Sequence, residues 1–253
     1  MIIPGIVSVT FRKNTADEII KMAEDASLKA IEWGADVHAT TGDIGNATKL
    51  GKLTRAAGLL PISFGSYYWI GFEGEHSDFT DVLDTAVALG TKNIRSWAGR
   101  KASADVSEEK FRQIADEIAK KCDEAALRGM TLSLEYHPNT LTDNKKSAVR
   151  LARMVNKPNL RLYWQPDFTL SDTENLLSLE AVLPWLGNVH VFSWLGAGAA
   201  RYPLAHSREL FCSCADMIKS DGRDHGMLLE FVKGDDPHQM SEDAETLLDI
   251  IGR

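Results

Sequence analysis

The sequence predicts an α/β fold, a single (β/α)8 barrel that spans residues 1–253 as one domain. Strand-like and helix-like segments alternate along the whole chain. Several strand-like segments are apolar on both faces, as expected for strands of a parallel sheet that helices cover. The length of 253 residues is ordinary for this kind of barrel, and we find no linker, low-complexity tract or composition break to divide it.

The individual elements follow from local signals in chain order. The apolar run IPGIVSVTF precedes the helix start NTADE, which supplies a polar cap and acidic residues before periodic apolar positions. The segment FTDVLDTAVAL ends at Gly90, a residue typical of helix ends. A long amphipathic helix from Ser107 to Arg128 places Phe111, Ile114 and Ile118 on one face.

The second half of the chain repeats the scheme. The predicted strands are residues 3–11, 28–36, 59–69, 91–99, 131–138, 159–166, 187–194 and 226–235. The predicted helices are residues 14–23, 46–57, 79–89, 107–128, 146–155, 172–183, 204–220 and 237–251, with a long loop, GAGAARYP, before the helix that starts at 204. An open doubly wound sheet is the alternative, but no glycine-rich phosphate loop follows the first strand. Eight β-strand and α-helix units joined by right-handed crossovers close into a barrel more naturally than they form an open sheet.

Composition narrows the classes of partner. A net charge of −8 disfavours a nucleic-acid backbone or an anionic membrane as the main partner. Three scattered cysteines argue against a disulfide scaffold and favour a reducing cytoplasm. No apolar run approaches the length of a membrane span, and the N-terminus lacks the basic start of a signal peptide. We therefore expect a cytoplasmic protein that acts on a small, sugar-like molecule.

Four strand-like runs in the second half end in polar residues. They end at Glu135, at Gln165 with Asp167, at His190 and at Glu230. The carboxyl ends of barrel strands meet on one face, where barrel active sites lie, so these side chains are expected to form one ring. Such a ring suits a divalent metal and proton-transfer chemistry.

Aromatic and polar residues crowd the same predicted rim. Stacked rings with scattered hydrogen-bonding groups suit a polyol, whose C–H faces are apolar and whose hydroxyl groups are not. The candidate substrate-binding residues are His38, Tyr68, Trp97, His137, Asp167, Trp194 and Arg201.

Each candidate also has a purely structural alternative. Glu135 could form a buried ion pair with Arg95, whereas Glu230 has only Lys233 as a nearby cation. His190 alone would be interpreted as a hydrogen-bonded core histidine, and only the two glutamates favour a ligand. The remaining alternatives are packing for His38 and His137, helix capping for Asp167, and a surface position for Arg201.

The motifs at the strand ends resemble those of the sugar isomerase and epimerase superfamily of xylose isomerase-like TIM barrels, which includes an endonuclease IV branch. The motifs are IEWGADVHATTGD, SFGSYYW, IRSWAG, LEYHPNTLTD, LYWQPD, VHVFSW and LLEFVKGD. The resemblance implies a divalent metal (Mn²⁺, Mg²⁺, Co²⁺ or Zn²⁺) held by Glu135, Gln165, His190 and Glu230, and pairing into a homodimer. Gln165 stands where the family has an acid, and Phe168 stands where its epimerases have a histidine.

The same resemblance implies isomerisation or epimerisation of a small sugar, keto-sugar or polyol derivative through an enediolate, with Glu135 and Glu230 as the acid and base. Three alternatives remain open. The first is a keto-polyol dehydratase with the same site, and the second is a metal-free sugar-binding barrel, which the loss of the acid at Gln165 favours. An AP-endonuclease-like DNA repair enzyme is disfavoured by the acidic net charge and the scattered histidines.

Overall fold

The computed structural model describes residues 1–72, 78–195 and 200–252, and the fold class is the one that the sequence predicts. The strands are β1 (Ile2–Val7), β2 (Ala30–Gly34), β3 (Leu60–Ile70), β4 (Asn93–Ala98), β5 (Thr131–Glu135), β6 (Leu160–Trp164), β7 (Leu186–Val191), β8 (Ser193–Leu195), β9 (Ala200–Tyr202) and β10 (His225–Leu229). The helices are α1 (Ala16–Asp25), α2 (Ile44–Ala56), α3 (Phe79–Leu89), α4 (Glu108–Ala126), α5 (Lys145–Val155), α6 (Asp172–Val182), α7 (Arg208–Ser220) and α8 (Pro237–Gly252).

Eight parallel strands form a closed barrel in the order β1-β2-β3-β4-β5-β6-β7-β10. The barrel closes where β10 pairs with β1, with Ile2 opposite His225. Because each crossover between neighbouring strands contains a helix, the strand ends separate into an N-terminal mouth and a C-terminal mouth.

Two apolar clusters fill the structure. The main core lies between the strands and the helices and includes Ile31, Leu162 and Met227. A smaller cluster contains Val7, Ala30, Tyr163 and Leu228 from alternating positions on the same strands, so it occupies the barrel interior. The strands are therefore buried on both faces, which explains their nearly continuous apolar sequence.

Local signals place most helix starts where the sequence predicts them. Thr15 and Glu18 form a capping box at the start of α1, and Ser171 and Glu174 form one at the start of α6. Gly90 ends α3 in the left-handed conformation. None of the helices in these ranges has the length and apolarity needed to cross a membrane.

Three local predictions differ from the structure. The first strand ends at Val7 rather than at residue 11, because Ser8–Phe11 form a 3-10 turn. The predicted loop GAGAARYP contains β9, which pairs with β8 as a hairpin; residues 196–199 of that loop lie outside the described ranges. A register shift between Gly65 and Trp69 in β3 changes which side chains face the C-terminal mouth.

Candidate active site at the C-terminal mouth

The polar residues that end the strands meet inside the C-terminal mouth. Glu135 is the last residue of β5, and His190 lies near the end of β7. Glu230 follows β10, and its backbone N–H donates to the carbonyl of Val191 at 2.9 Å, which keeps it in line with the sheet. All three side chains are buried, with exposed fractions of 0–5%. The convergence that the strand pattern predicts is therefore present.

Three oxygens surround Nδ1 of His190. This nitrogen lies 3.1 Å from Oε1 of Gln165, 3.3 Å from Oε2 of Glu230 and 3.6 Å from Oε1 of Glu135. The ligand atoms of the two glutamates and the histidine all lie within 4.8 Å of one another. Four donor groups from four neighbouring strands thus share one small volume.

Arg95 provides a buried positive charge beside this cluster. Its Nε donates to Oε1 of Glu32 at 2.7 Å, and its Nη1 contacts Oε2 of Glu135. The ion pair between Glu135 and Arg95, considered above as a structural alternative, is therefore present. It engages only one oxygen of Glu135, so Oε1 still faces His190. Glu230 forms no such ion pair with an arginine among the described residues.

The pKa values of the two glutamates move in opposite directions. Burial by itself raises the pKa of Glu135, but the Arg95 guanidinium and His190 together more than offset it and lower the pKa overall. Burial also raises the pKa of Glu230, and His190 offsets only part of that rise, so its pKa stays above the ordinary value. Burial disfavours a charged His190, yet the facing carboxylates, Glu230 first, raise its pKa. The two glutamates are chemically different.

Glu32 also belongs to the site, although its position in the sequence does not indicate a role. It is fully buried, and its Oε1 lies 3.6 Å from Nε2 of His190. Burial raises the pKa of Glu32, but Arg95 and then His190 lower it to well below its usual range. Glu32 and Arg95 do stand at predicted strand ends, but nothing in the sequence shows that they pair across the barrel.

An aromatic pocket of about 370 Å³ opens above the cluster. Its rings are Tyr67, Trp69, Trp97, Tyr136, Phe168, Phe192, Trp194 and Phe231. Its charged and polar lining is Arg12, Arg95, Glu135, His137, Asp143, Gln165, Asp167 and Glu230. A pocket of this size and composition fits a small molecule with apolar faces and polar edges.

Two of these aromatic residues have a left-handed backbone. Tyr67 has a φ of 55° and Phe231 a φ of 51°, a region that bulky side chains rarely occupy. Tyr67 lies in the irregular part of β3, and Phe231 directly follows Glu230. Backbone strain of this kind concentrates at functional sites, so both residues support the assignment of this pocket.

Four of the predicted substrate-binding residues line the pocket. They are Trp97, His137, Asp167 and Trp194. Glu135 and His137 both face it, as do Gln165 and Asp167, because side chains two positions apart share a side of the chain.

The other three predicted contacts are placed elsewhere. Nε2 of His38 lies 2.9 Å from the carbonyl oxygen of Asn14. Tyr68 packs against the ring of Phe79, and Tyr67 takes the pocket position instead.

Arg201 lies near the rim but outside the lining. Its Nη1 is 2.6 Å from Asp235, and its guanidinium lies 5.0 Å from the centre of the Phe231 ring.

Arg12 also lines the pocket, a position that the sequence pattern does not predict. It lies just beyond the 3-10 turn that replaces the end of the predicted first strand. Its Nε donates to Asp36 at 2.5 Å, and its Nη2 donates to the hydroxyl of Tyr67 at 3.2 Å. The one signal in the sequence for a role of Arg12 in the pocket is its position directly after the first strand.

The donor set fits a divalent metal. Two carboxylates, an amide oxygen and an imidazole nitrogen suit Mn²⁺, Zn²⁺, Co²⁺ or Mg²⁺. Ligands bound at about 2.1 Å lie roughly 3 Å apart when adjacent, and the three oxygens are 3.1–3.6 Å from Nδ1 of His190. Within the described ranges, the buried Nε2 of the same ring has no hydrogen-bond partner and faces Glu32, an arrangement that leaves Nδ1 available as a ligand.

The model of the xylose isomerase-like TIM barrel family matches residues 10–243, and the chain belongs to this family. Its characterised relatives are enzymes of several kinds. A 3-dehydroshikimate dehydratase of Bacillus anthracis is 33% identical over 106 residues, which cover 40% of this chain and 36% of that protein. The match therefore spans little more than a third of the curated relative's length.

Solved structures share the fold over nearly the whole chain. A probable 3-DHS dehydratase involved in petrobactin synthesis in Bacillus anthracis superposes with a TM-score of 0.78 at 19% identity, covering 98% of each chain. The IOLI protein with a zinc atom superposes with a TM-score of 0.75 at 15% identity, covering 99% of this chain and 98% of that one. D-psicose 3-epimerase of Clostridium cellulolyticum H10 gives 0.72 at 13% identity, with the same coverage.

Proposed function

We propose that this protein is a metal-dependent dehydratase, which removes a proton beside the carbonyl group of a small keto-polyol and then expels water. The observation that carries the proposal is the convergence of Glu135, Gln165 and Glu230 on Nδ1 of His190 at the floor of an aromatic pocket. These four residues would hold the metal. When bound, it would polarise the substrate carbonyl and acidify the neighbouring C–H bond.

The unequal surroundings of the two glutamates suggest separate roles. Arg95 holds one oxygen of Glu135, which makes this carboxylate an anchored ligand rather than a mobile base. Glu230 has no arginine partner among the described residues and faces the pocket, so it is the candidate base that takes the C–H proton. The sequence alone does not distinguish the roles of Glu135 and Glu230.

His137 is the candidate acid for the departing hydroxyl group. Its Nδ1 lies 2.8 Å from the carbonyl oxygen of Pro138, an arrangement in which Nδ1 carries a hydrogen. Nε2 is then the nitrogen that exchanges a proton with a ligand in the pocket. The reaction balances without another reactant, because one proton and one hydroxyl group leave as water and a carbon–carbon double bond forms.

The charges of the pocket favour a substrate without phosphate. Glu135, Glu230, Asp143 and Asp167 outnumber the lining arginines. The Arg95 charge is already shared between Glu32 and Glu135. Arg12 keeps Nη1 free of any hydrogen bond within the described residues, which is enough for a single carboxylate. A keto-polyol acid therefore fits better than a sugar phosphate, in keeping with the dehydratase match.

The test is a substrate panel with Mn²⁺, Mg²⁺, Co²⁺ or Zn²⁺, analysed by mass spectrometry and ultraviolet absorbance. We expect metal-dependent loss of one water from 3-dehydroshikimate or a related keto-polyol acid, with a new conjugated absorbance. If no compound on the panel loses water with any of the metals, the proposal is wrong.

Epimerisation or isomerisation of a keto-sugar is the second candidate, because Glu135 and Glu230 both line the pocket and could exchange protons with one carbon. Incubation of the protein with ketohexoses in D₂O distinguishes this reaction from dehydration. Deuterium incorporation with every oxygen retained would favour this reaction. If the protein catalyses neither reaction and binds sugars but no metal, a sugar-binding barrel is favoured.

A further inference from the structure

The N-terminal mouth of the barrel contains a second pocket, of about 440 Å³. The starts of β1, β3, β4, β5, β6, β7 and β10 surround it, and its apolar lining includes Ile3, Ile62 and Leu186. It lies at the opposite end of the strands from the active site, so the proposed reaction does not use it.

Arg161 enters this pocket without a balancing carboxylate. Its Nη1 donates to the carbonyl oxygens of Pro158 and Leu160, at 2.8 and 2.7 Å. Among the described residues it forms no ion pair, and its Nε and Nη2 groups have no hydrogen-bond acceptor. A guanidinium group carries five N–H donors in a planar fork, so more than half of its donors remain available.

A second arginine lines the same pocket with only a shared partner. Nη2 of Arg223 donates to Asp221 and to the carbonyl oxygen of Leu183, at 2.6 Å each. Both oxygens of Asp221 also lie 3.0 Å from Nε2 of His225. One carboxylate therefore contacts both Arg223 and His225.

The remaining acid at this mouth is also engaged. Asp224 contacts the N-terminal amino group at 2.9 Å, and its side chain is 72% exposed. Asp221 is thus held by Arg223 and His225, and Arg161 has no acid as a partner among the described residues.

The pKa of Arg161 reflects the missing counter-charge. Burial lowers it first, and the positive charge of Arg223 lowers it further. A bound anion would counteract both of these decreases in the pKa, because its oxygens would replace the lost water contacts of Arg161 and its charge would offset the repulsion between Arg161 and Arg223. Arginine forks match the oxygens of phosphate and carboxylate groups.

We propose that the N-terminal mouth pocket binds a small dianion through Arg161 and Arg223, with its apolar body against Ile3, Ile62 and Leu186. Its chemical class is a phosphate monoester or a short dicarboxylate. The structural alternative is that Arg161 only caps the carbonyl groups of Pro158 and Leu160, as its Nη1 contacts allow.

Titration calorimetry and thermal unfolding with inorganic phosphate and with malonate, at constant ionic strength and without divalent metal, test the proposal. We expect saturable binding of one equivalent and a rise in the unfolding temperature. Arg161→Gln should weaken binding by roughly tenfold or more. The exposed Arg153 on α5 offers a matched control, and Arg153→Gln should bind like the wild type. The probe that binds more tightly identifies the anion class.

Each outcome has a defined meaning. Absence of saturable binding by the wild-type protein overturns the proposal without any variant. Equal binding by Arg161→Gln overturns it as well and leaves Arg161 a structural cap. If Arg161→Gln does not fold, Arg161→Lys replaces it, with weaker but measurable binding expected because the charge remains and the planar fork is lost. The proposal does not depend on the proposed reaction, and Glu230→Gln should bind the anion unchanged.

Discussion

The two mouths of the barrel differ in how their buried and half-buried charges are paired. At the C-terminal mouth, Arg95 and His190 lie among four acidic or amide side chains and are fully buried. At the N-terminal mouth, Arg161 and Arg223 are half-buried; Arg161 has no ion pair among the described residues, and Arg223 shares Asp221 with His225. One end concentrates oxygens and suits a cation, whereas the other lacks them and suits an anion.

The difference follows from the strand sequences. Inward-facing positions at the carboxyl ends hold Glu32, Glu135, His190 and Glu230, and those at the amino ends hold Asn93, Arg161 and Asn188. The amides at the amino ends form hydrogen bonds with nearby hydroxyl groups and with one backbone N–H. Nδ2 of Asn188, for example, donates to the Tyr163 hydroxyl at 2.5 Å. We therefore expect the effects on chemistry to come from substitutions at the C-terminal mouth, whereas substitutions at either mouth can change stability.

The largest effect is expected from Glu230→Gln, which removes the candidate base while conserving shape. We expect kcat for the proposed elimination to fall by about 10³-fold, because general base catalysis contributes about that much. Steady-state kinetics with saturating Mn²⁺ measure it. Glu180→Gln, an exposed change on α6, should keep the full rate. A Glu230→Gln enzyme within tenfold of the wild-type rate would remove Glu230 from the mechanism.

The next largest effect is expected from Glu32→Gln. This change leaves the buried Arg95 with Glu135 as its remaining ion-pair partner. Breaking a buried ion pair costs about 3 kcal/mol or more, so the free energy of unfolding should fall by about that amount. Urea unfolding at neutral pH, without added metal, measures the change. A loss no greater than that of Glu180→Gln would show that the Arg95 network does not hold this mouth together.

A pH-dependent effect is expected at the N-terminal mouth from Asp221→Asn. Burial raises the pKa of Asp221, but His225 and Arg223 more than offset it and bring the pKa to about 2. Because the folded-state pKa lies below the ordinary value, this stabilisation is present above about pH 4 and is lost as the pH falls towards 2. Asp221→Asn should lower the free energy of unfolding by about 2 kcal/mol at neutral pH.

The difference between Asp221→Asn and the wild type should disappear near pH 2, as urea unfolding at several pH values would show. Asp216→Asn, at an exposed position on α7, is the matched control. A cost for Asp221→Asn that does not depend on pH would assign the contribution of Asp221 to packing rather than to charge.

The smallest effect compares one glycine at each mouth. A Cβ on Gly65 would lie 2.7 Å from Nη2 of Arg95 and 3.1 Å from Oε1 of Glu32, both fixed by their ion pair. A Cβ on Gly226 would lie 2.9 Å from the terminal carbon of Ile62, which can rotate away, and 3.0 Å from the amide oxygen of Asn188. Gly65→Ala should therefore cost about 1 kcal/mol more than Gly226→Ala, within the range for overpacking. Equal decreases in the unfolding temperature of the two variants would mean that both mouths are equally rigid.

Periodicity along the chain was enough to predict the fold class and the polar ring. Alternation between strand and helix predicts the barrel, and two-residue periodicity places Glu135 with His137 and Gln165 with Asp167 on the pocket side. These are local properties of strands, so the sequence contains them. The sequence does not show that Tyr67 rather than the predicted Tyr68 lines the pocket, because a register shift in β3 interrupts the alternation.

Only the tertiary structure decided how the charges are paired. Glu32, Arg95 and Glu135 come from strands that are far apart in sequence, and their distances depend on closure of the barrel. Closure joins Arg95 to Glu135, leaves Glu230 without an arginine, and leaves Arg161 without a carboxylate among the described residues. The sequence determined which residues stand at the strand ends. Their pairing needed three dimensions, because electrostatic energy depends on distance through space rather than along the chain.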